Sequence, residues 1–337
     1  WTTATGLPSP AVWAFARDGA GRLLVSTSKG VATLDAATQR FSAIGPTFAP
    51  FVGTGLAVDE GGTTWWADGG HVLALPPGER RARVMLQDPK IETAAKAAGS
   101  IVLSGSQAAE RLVVSPGAPR REPLPPGMPD PASLIAVISD GQREWFLIGK
   151  GAYRIEGGRW EPLRTELGTP VEVRMAGTFT SPSEFWAADV HGLAVYQVSG
   201  NVAHLMERID SNRLGSSSIV FLRSDRQGRL WVGTDRGVQV RTGTRWTLLD
   251  RDNGLLWNDL DSDAVFQDTD GAMWLGSSMG ATRVGPGPLL AGAPSLRVEE
   301  IRFGDRPATA AALAHIPWDE RRMRLTLRTP QIARGRA

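Results

Sequence analysis

The chain of 337 residues contains no cysteine, only four histidines and only two tyrosines. The absence of cysteine excludes disulfides, thiolate-bound metals and cysteine nucleophiles. No apolar run approaches the roughly 18 residues of a membrane span. The net charge is +2, and a charge this close to zero argues against a nucleic-acid or membrane surface. Because nothing like a leader precedes Trp1, we expect that a signal was removed or that the fragment comes from a longer chain.

Turn-forming residues and tryptophan are abundant, with 39 glycines, 23 prolines and 12 tryptophans. The segments DRQGRLWVGTDRGVQV from Asp225 and DTDGAMWLGSSMGATRV from Asp268 share one pattern. Each reads Asp, two residues, Gly, two residues, Trp, an apolar residue, and a second Gly six residues after the Trp. Five further segments fit the pattern with more or fewer changes, which indicates a repeat.

The position of the repeated tryptophan recurs seven times, and the intervals run from 37 to 45 residues. The anchors are Leu24, Trp65, Val102, Trp145, Trp186, Trp231 and Trp274. This period is typical of one four-stranded β-propeller blade per repeat. We therefore predict an all-β, seven-bladed β-propeller over residues 1–286.

The motif has a mechanical explanation. Asp and Gly suit a tight turn between two antiparallel strands, and the Trp begins the second strand, where its surface packs between neighbouring blades. The seventh repeat lacks an outer strand, because Gly-Pro-Gly-Pro follows it. Residues 1–4 followed by Gly6 and Leu7 match Trp246 and its neighbours followed by Gly254 and Leu255. We predict that this N-terminal strand completes the last blade and closes the ring.

Phrases such as GRLWVGTDRGV and GLPSPAVWAFARDGAGRLLV resemble the two-component-regulator propeller repeat. In that family such propellers form the extracytoplasmic sensing part of bacterial sensor histidine kinases or diguanylate cyclases. A β-sandwich of the Y_Y_Y type usually follows, and SLRVEEIRF and RRMRLTLRTP resemble its first strands. Residues 287–337 are accordingly expected to begin a truncated sandwich of this type or to form a flap.

The resemblance implies a ligand-sensing receptor region in the periplasm, with a membrane-anchored parent and a homodimer formed through the following domain. It implies no enzymatic activity for this fragment, no cofactor and no nucleic-acid partner. Two alternatives stay open. One is a propeller enzyme, such as a streptogramin-lyase-like or polysaccharide-cleaving enzyme, and the other is a protein-docking scaffold.

Polar groups around an aromatic platform are what a small polar solute or an oligosaccharide would need at the mouth of a propeller. The candidate ligand-binding residues, all in loops expected at one mouth, are Trp257, Asp259, Asp261, Arg174, Lys150 and His191. An ordinary solvated role for these loop residues is the competing interpretation.

Catalytic and metal sites are not predicted. The histidines show no His-x-x-x-His spacing, and neither a nucleophile elbow nor a phosphate loop occurs. Asp259, Asp261 and Asp263 alternate as calcium ligands do, but the glycine and the glutamate of a calcium loop are missing.

Overall fold

The seven repeats fold into seven antiparallel sheets, which are the blades of a β-propeller. This computed structural model describes residues 1–46, 48, 55–91, 93–97, 100–105, 109–113, 120–287, 289, 297–303, 306–307 and 323–328. Its contacts divide the chain into two compact units, Trp1–Gly287 and Pro288–Ala337. The predicted fold class and blade number are confirmed.

Each blade runs from an innermost strand to an outer one, and blade 5 gains a short parallel strand at its outer edge. Blades 1 to 4 consist of β1 Val12–Arg17, β2 Leu23–Thr27, β3 Gly30–Asp35, β4 Arg40–Ala43, β5 Ala57–Val58, β6 Thr64–Asp68, β7 His71–Leu75, β8 Arg83–Gln87, β9 Thr93–Ala97, β10 Ser100–Ser104, β11 Ala109–Val113, β12 Arg120–Pro123, β13 Leu134–Ser139, β14 Glu144–Ile148, β15 Gly151–Glu156 and β16 Arg159–Pro162. Blades 5 to 7 consist of β17 Arg164–Thr165, β18 Gly177–Ser181, β19 Glu184–Asp189, β20 Gly192–Ser199, β21 Val202–Asp210, β22 Ile219–Ser224, β23 Leu230–Thr234, β24 Gly237–Thr242, β25 Arg245–Leu249, β26 Leu260–Gln267, β27 Met273–Ser277 and β28 Gly280–Val284.

Helices are few and short among the described residues. They are the 3-10 turns Thr3–Thr5, Pro131–Ser133 and Arg251–Asn253, and the single-turn helix α1 Ser211–Leu214.

All seven anchor residues lie in the second strand of their blades and are buried. The apolar core runs between blades: Trp186 packs with Leu222 and Leu230 of the next blade, and Trp274 packs with Phe15 of the first. Inter-blade packing of the repeated tryptophans is therefore confirmed.

The turn aspartate does more than shape its turn, because it also binds the tryptophan indole of its own blade. In blade 2, Asp59 Oδ2 accepts the Nε1–H of Trp65 at 2.7 Å, while its Oδ1 accepts the backbone N–H of Thr63. The same indole bond joins Asp140 to Trp145, Asp225 to Trp231 and Asp268 to Trp274. Burying the indole thus leaves its polar N–H satisfied.

The N-terminal residue pairs with the last blade, but residues 1–4 do not form the predicted strand, and the sheet of blade 7 has three strands. The Trp1 amino group donates to Ala281 O at 2.7 Å, and the Ala281 N–H donates to Trp1 O at 2.9 Å. The Trp1 ring also lies 4.6 Å from that of Trp274.

The predicted register of this closing segment is wrong. The carbonyl oxygen of Trp1 lies next to Gly280, and the carbonyl oxygen of Leu249 lies next to Gly237 in the same way. Trp1 is therefore equivalent to Leu249 and not to Trp246. Thr3–Thr5 is a 3-10 turn with a capping box, as Arg251–Asn253 is in blade 6. The length of this turn, from cap to glycine, sets the register.

A partly buried ion pair reinforces the closure. Arg17 of β1 donates Nε–H and Nη2–H to the two oxygens of Asp268, at 2.7 and 2.6 Å, across the junction of blades 1 and 7. Burial raises the pKa of Asp268, but hydrogen bonds from Arg17, the Trp274 indole and the Thr269 backbone outweigh it and lower the pKa to about 2.

The second unit contains a three-stranded sheet of β29 Arg297–Phe303, β30 Arg306–Pro307 and β31 Met323–Arg328, with β29 in the centre. Both strands predicted in this region are present, although the flanking residues 295–296, 321–322 and 329–330 lie outside the described residues. A sandwich of the Y_Y_Y type stays a prediction.

Replacing Trp1 by alanine should lower the free energy of unfolding by about 2 kcal/mol, because it removes the ring contact with Trp274 and keeps the backbone pair. Urea denaturation measures the change. Trp1→Phe, which keeps an aromatic ring, should lose less than half as much. Equal stability of all three proteins would show that the ring does not contribute to closure.

The depressed pKa of Asp268 makes the closure sensitive to acid. Its contribution is complete above an unfolded-state pKa near 4 and is lost as the pH falls to about 2, which amounts to about 2 kcal/mol. Between pH 5 and pH 2, the free energy of unfolding should therefore fall less in Asp268→Asn than in the unmodified protein. Parallel curves would contradict this assignment.

Candidate functional site

The innermost strands of the seven blades surround a central channel of about 1210 Å³. Its wall is largely apolar, with residues such as Leu56, Ile135 and Val220 facing the axis. Its described ionisable lining residues are Arg17, Glu144, Arg223, Asp261 and Asp263, three of which come from β22 and β26. More than half of these ionisable residues therefore lie on the side of blades 6 and 7.

Blade 7 places its acidic residues by an enlarged bulge. In blades 1, 4, 5 and 6 one extra residue interrupts the pairing of the first strand. In β26 the register moves from Leu260 opposite Ser277 to Val265 opposite Leu275, which leaves three extra residues. The bulge packs on Gly276, where a Cβ would lie 2.7 Å from that of Ala264.

Asp261 occupies the start of this bulge and is half-buried. It accepts a hydrogen bond from the backbone N–H of Val12, while its Oδ2 is shielded from water and has no hydrogen-bond partner. Burial, and then the nearby charge of Asp259, raise the pKa of Asp261 to about 6. Around neutral pH this carboxyl group can therefore accept or donate a proton.

Asp263 follows in the left-handed backbone region, with φ of 56°. Its carboxylate lies 3.6 Å from Arg223 Nη2 of the neighbouring blade. About 63% of the side chain still reaches solvent in the channel, so the pair is open to a solute.

The other predicted residues of this segment lie outside the channel wall, in the loop before β26. The guanidinium of Arg251 stacks 4.7 Å from the Trp257 ring and holds that ring in place. Asp259 is exposed and accepts a hydrogen bond from Ser278 Oγ at 3.1 Å. Trp257, Asp259 and Asp261 thus form one group beside blade 7.

The remaining three predicted residues form a second group at blades 4 and 5. Lys150 is exposed after β14, and its carbonyl accepts the N–H of Val173. Arg174 donates its backbone N–H to Ala188 and its side chain to Glu172. His191 is exposed, and its backbone N–H binds Asp189. Blade 6 lies between the two groups in the order of the blades.

Sequence reasoning missed two features. Arg223, which faces Asp263, lies in a strand that looked purely structural, and only the pairing of β22 reveals its direction. His204 pairs with Glu166, but both side chains are exposed at the outer edge of blade 5, away from the channel. Within the described ranges, no three of the possible His, Asp or Glu ligands lie together as a metal site would require.

The shifted pKa of Asp261 predicts a measurable titration. Because its folded-state pKa exceeds the ordinary value near 4, stability should fall as the pH rises from about 4 to about 6, on the order of 1–3 kcal/mol. Asp261→Asn should abolish this loss and stabilise the protein at pH 7. Carbon-13 NMR of the carboxyl groups should also show a lower Asp261 pKa in Asp259→Asn. An ordinary pKa in both proteins would contradict the assignment.

A search of curated proteins found no match to this chain. Within the described residues, no helix has the length and apolar character needed to cross a membrane.

Among solved structures, the chain is similar to an extracellular domain assigned to a hybrid two-component system from B. thetaiotaomicron, with a TM-score of 0.65 and 14% identity over 88% of this chain and 42% of that one. A second such domain, of a one-component system from B. thetaiotaomicron, has a TM-score of 0.60 at 16% identity over 83% and 39%. The chain therefore spans about two fifths of these extracellular domains. A streptogramin B lyase has a TM-score of 0.59 at 13% identity, over 83% and 95%.

Residues 213–236, from α1 to the turn after β23, match the family model "Two component regulator propeller". This segment contains the turn aspartate Asp225 and the anchor Trp231. Residues 1–287 thus form a seven-bladed β-propeller, and their segment 213–236 is similar to the two-component regulator propeller repeat.

Proposed function

We propose that this chain is the extracytoplasmic sensing region of a bacterial signalling receptor, with a histidine kinase or a diguanylate cyclase as its output. The observation that carries the proposal is the match of residues 213–236 to the regulator propeller repeat. The likeness to extracellular domains of two such systems supports it at the level of the fold. A periplasmic location and a membrane-anchored parent are parts of the same proposal.

The ligand would be a small polar solute or an oligosaccharide at the channel mouth. Trp257 offers an aromatic face already held by Arg251, and Asp261 offers a carboxyl oxygen with no partner of its own. Sugars suit such a pair, because their C–H faces stack on rings and their hydroxyl groups need hydrogen-bond partners. Asp259 lies close enough to Asp261 for its charge to raise the pKa of Asp261.

Lys150, Arg174 and His191 would contact only a ligand long enough to pass blade 6, or a second solute molecule. All three combine a polar or charged group with access to solvent. An extended oligosaccharide therefore fits the two separated groups better than a compact metabolite does.

Signal transfer requires that the ligand bind two states with different affinity. We propose that binding at the propeller changes how the following domain packs or dimerises, and that this change biases the output domain. The elevated pKa of Asp261 would make ligand affinity depend on pH between about 5 and 7.

An enzyme is the second candidate, since a streptogramin B lyase has nearly the same TM-score as the receptor domains. An acid–base mechanism would need a titratable pair within reach of a substrate atom. In the described part of the chain, the ring of His191 makes no hydrogen bond, and the pair His204–Glu166 lies at the outer edge of blade 5. Neither histidine therefore supplies such a pair at the channel, and Asp261 is the carboxyl group that an acid–base mechanism would use.

A thermal-shift screen of oligosaccharides and small polar metabolites tests the sensor proposal. A ligand at 100 times its dissociation constant should stabilise the protein by about 2.7 kcal/mol. Trp257→Ala should weaken the binding of an active sugar at least tenfold, because the stacking face is lost. Leu167→Ala, which alters an exposed side chain in a different loop, is the matched control and should bind normally.

Two results would overturn the proposal. One is a broad panel in which no solute shifts the unfolding temperature, combined with normal output after deletion of the propeller from the parent protein. The other is turnover of a streptogramin B antibiotic by this chain, which would favour the enzyme.

A further inference from the structure

The central channel contains a pair of opposite charges farther along β26 than Asp261. Arg223 of β22 and Asp263 of β26 both line the channel, and their side chains are 44% and 63% exposed. Arg223 Nη2 and Asp263 Oδ1 lie 3.6 Å apart, which is longer than a hydrogen bond. The two charged groups are therefore adjacent and open to the channel, and they do not close on each other.

The protein leaves the bonding capacity of this pair unused. Within the described residues, neither Arg223 nor Asp263 makes a side-chain hydrogen bond. The Nε of Arg223 is shielded from water, but its two terminal nitrogens carry four further N–H bonds. Arg17, which also lines the channel, differs in this respect, because Asp268 accepts two of its N–H bonds. A solute in the channel would therefore meet free donors and a free acceptor at Arg223 and Asp263.

The backbone at Asp263 is in a conformation that a β-carbon disfavours. Its φ of 56° lies in the left-handed region. Gln39 and Asp130, the other non-glycine residues with positive φ in the described chain, lie in a turn and a loop, whereas Asp263 lies within a strand. Strained positions of this kind cluster at ligand sites, where the strain presents a side chain. The bulge of β26 thus points to a function for the carboxylate of Asp263.

The charges of the pair define the class of ligand. A guanidinium binds a carboxylate through two parallel N–H bonds, and a carboxylate accepts hydrogen bonds from an ammonium group. Because the charges of Arg223 and Asp263 cancel, a matching ligand carries one charge of each sign. Its two charges must also be close together, since the partner atoms are only 3.6 Å apart. An α-amino acid meets both conditions, because a single carbon separates its ammonium and carboxylate groups.

The apolar wall of the channel indicates what the rest of the ligand is. Val220 of β22 lines the channel, as does Met175, which precedes β18 in the adjacent blade and is 44% exposed. An apolar ligand side chain would remove part of this surface from water, which is favourable. A polar side chain would gain nothing from it.

We propose that Arg223 and Asp263 form a site on the channel wall for a small zwitterion, namely an α-amino acid with an apolar side chain. Arg223 binds the carboxylate of the amino acid and Asp263 binds its ammonium group. The site includes neither Trp257 nor Asp261, and it does not depend on the proposed receptor function.

The test uses leucine as the probe and calorimetry on the full chain at pH 7. N-acetylleucine lacks the ammonium group, leucinamide lacks the carboxylate, glycine lacks the apolar side chain, and 6-aminohexanoate separates the two charges. Arg223→Met and Asp263→Asn each remove one charge, and asparagine tolerates the left-handed region. Arg83→Met is the matched control, because Arg83 forms an exposed ion pair with Glu79 at the outer edge of blade 2.

We expect leucine to bind the unmodified protein and Arg83→Met equally, and to bind Arg223→Met and Asp263→Asn at least tenfold more weakly. Each of the other four compounds should bind the unmodified protein at least tenfold more weakly than leucine. Failure of leucine to bind, or undiminished binding by either channel variant, would overturn the proposal. Equal binding of N-acetylleucine or leucinamide would show that one charge suffices and would overturn the zwitterion, as equal binding of 6-aminohexanoate or glycine would overturn the α-amino acid with an apolar side chain.

Nitrogen-15 NMR of the unmodified protein provides a readout that needs no variant. Leucine should shift the Arg223 Nε–H resonance in a saturable way and leave that of Arg83 unchanged. A titration that moves neither resonance, or both alike, would contradict the site even if a channel variant did not fold.

Discussion

The bond between a turn aspartate and a tryptophan indole is the interaction on which this propeller depends. In blades 2, 4, 6 and 7 one carboxylate caps the turn between the first two strands and also accepts the indole N–H. The tryptophan can therefore pack against the next blade without an unsatisfied polar atom. Since the aspartate also fixes the turn, one side chain couples the local geometry of a blade to the packing between blades.

Closure of the ring depends on the same bond between a turn aspartate and a tryptophan indole. Asp268 accepts the Trp274 indole, as its counterparts do, but it also accepts both guanidinium donors of Arg17 from blade 1. The Trp1 backbone pairs with β28, and the Trp1 ring packs against the ring of Trp274. The first and last parts of the propeller thus meet at one carboxylate, and no blade of the described propeller is left without a neighbour on either side.

The blade number could be predicted from the sequence because each blade repeats its anchor, and even the degraded copy at Val102 falls in a buried second strand. The register of Trp1 could not be predicted from the sequence. Trp1 and Trp246 are the same residue type, but the length of a capped 3-10 turn decides which residues pair. Asp261 was predicted, but its bulge and its altered pKa depend on the loss of regular alternation in β26. The repeat assigns the mouth residues to different blades, because the anchor Trp231 lies between His191 and Trp257, but it gives no distance between their side chains.

The reactive side chains of this fold lie where a blade departs from the repeat. The bulge of β26 adds residues to a pattern that four other blades keep shorter, and it brings two carboxyl groups to the channel. Arg154 and Arg283 each lie over the repeat tryptophan of their own blade, 5.6 and 5.9 Å from the ring centres. The Arg154 side chain is 9% exposed and the Arg283 side chain is 33% exposed. The same cation–π contact is therefore shielded from water in blade 4 and open to water in blade 7, so its strength depends on how each blade departs from the repeat.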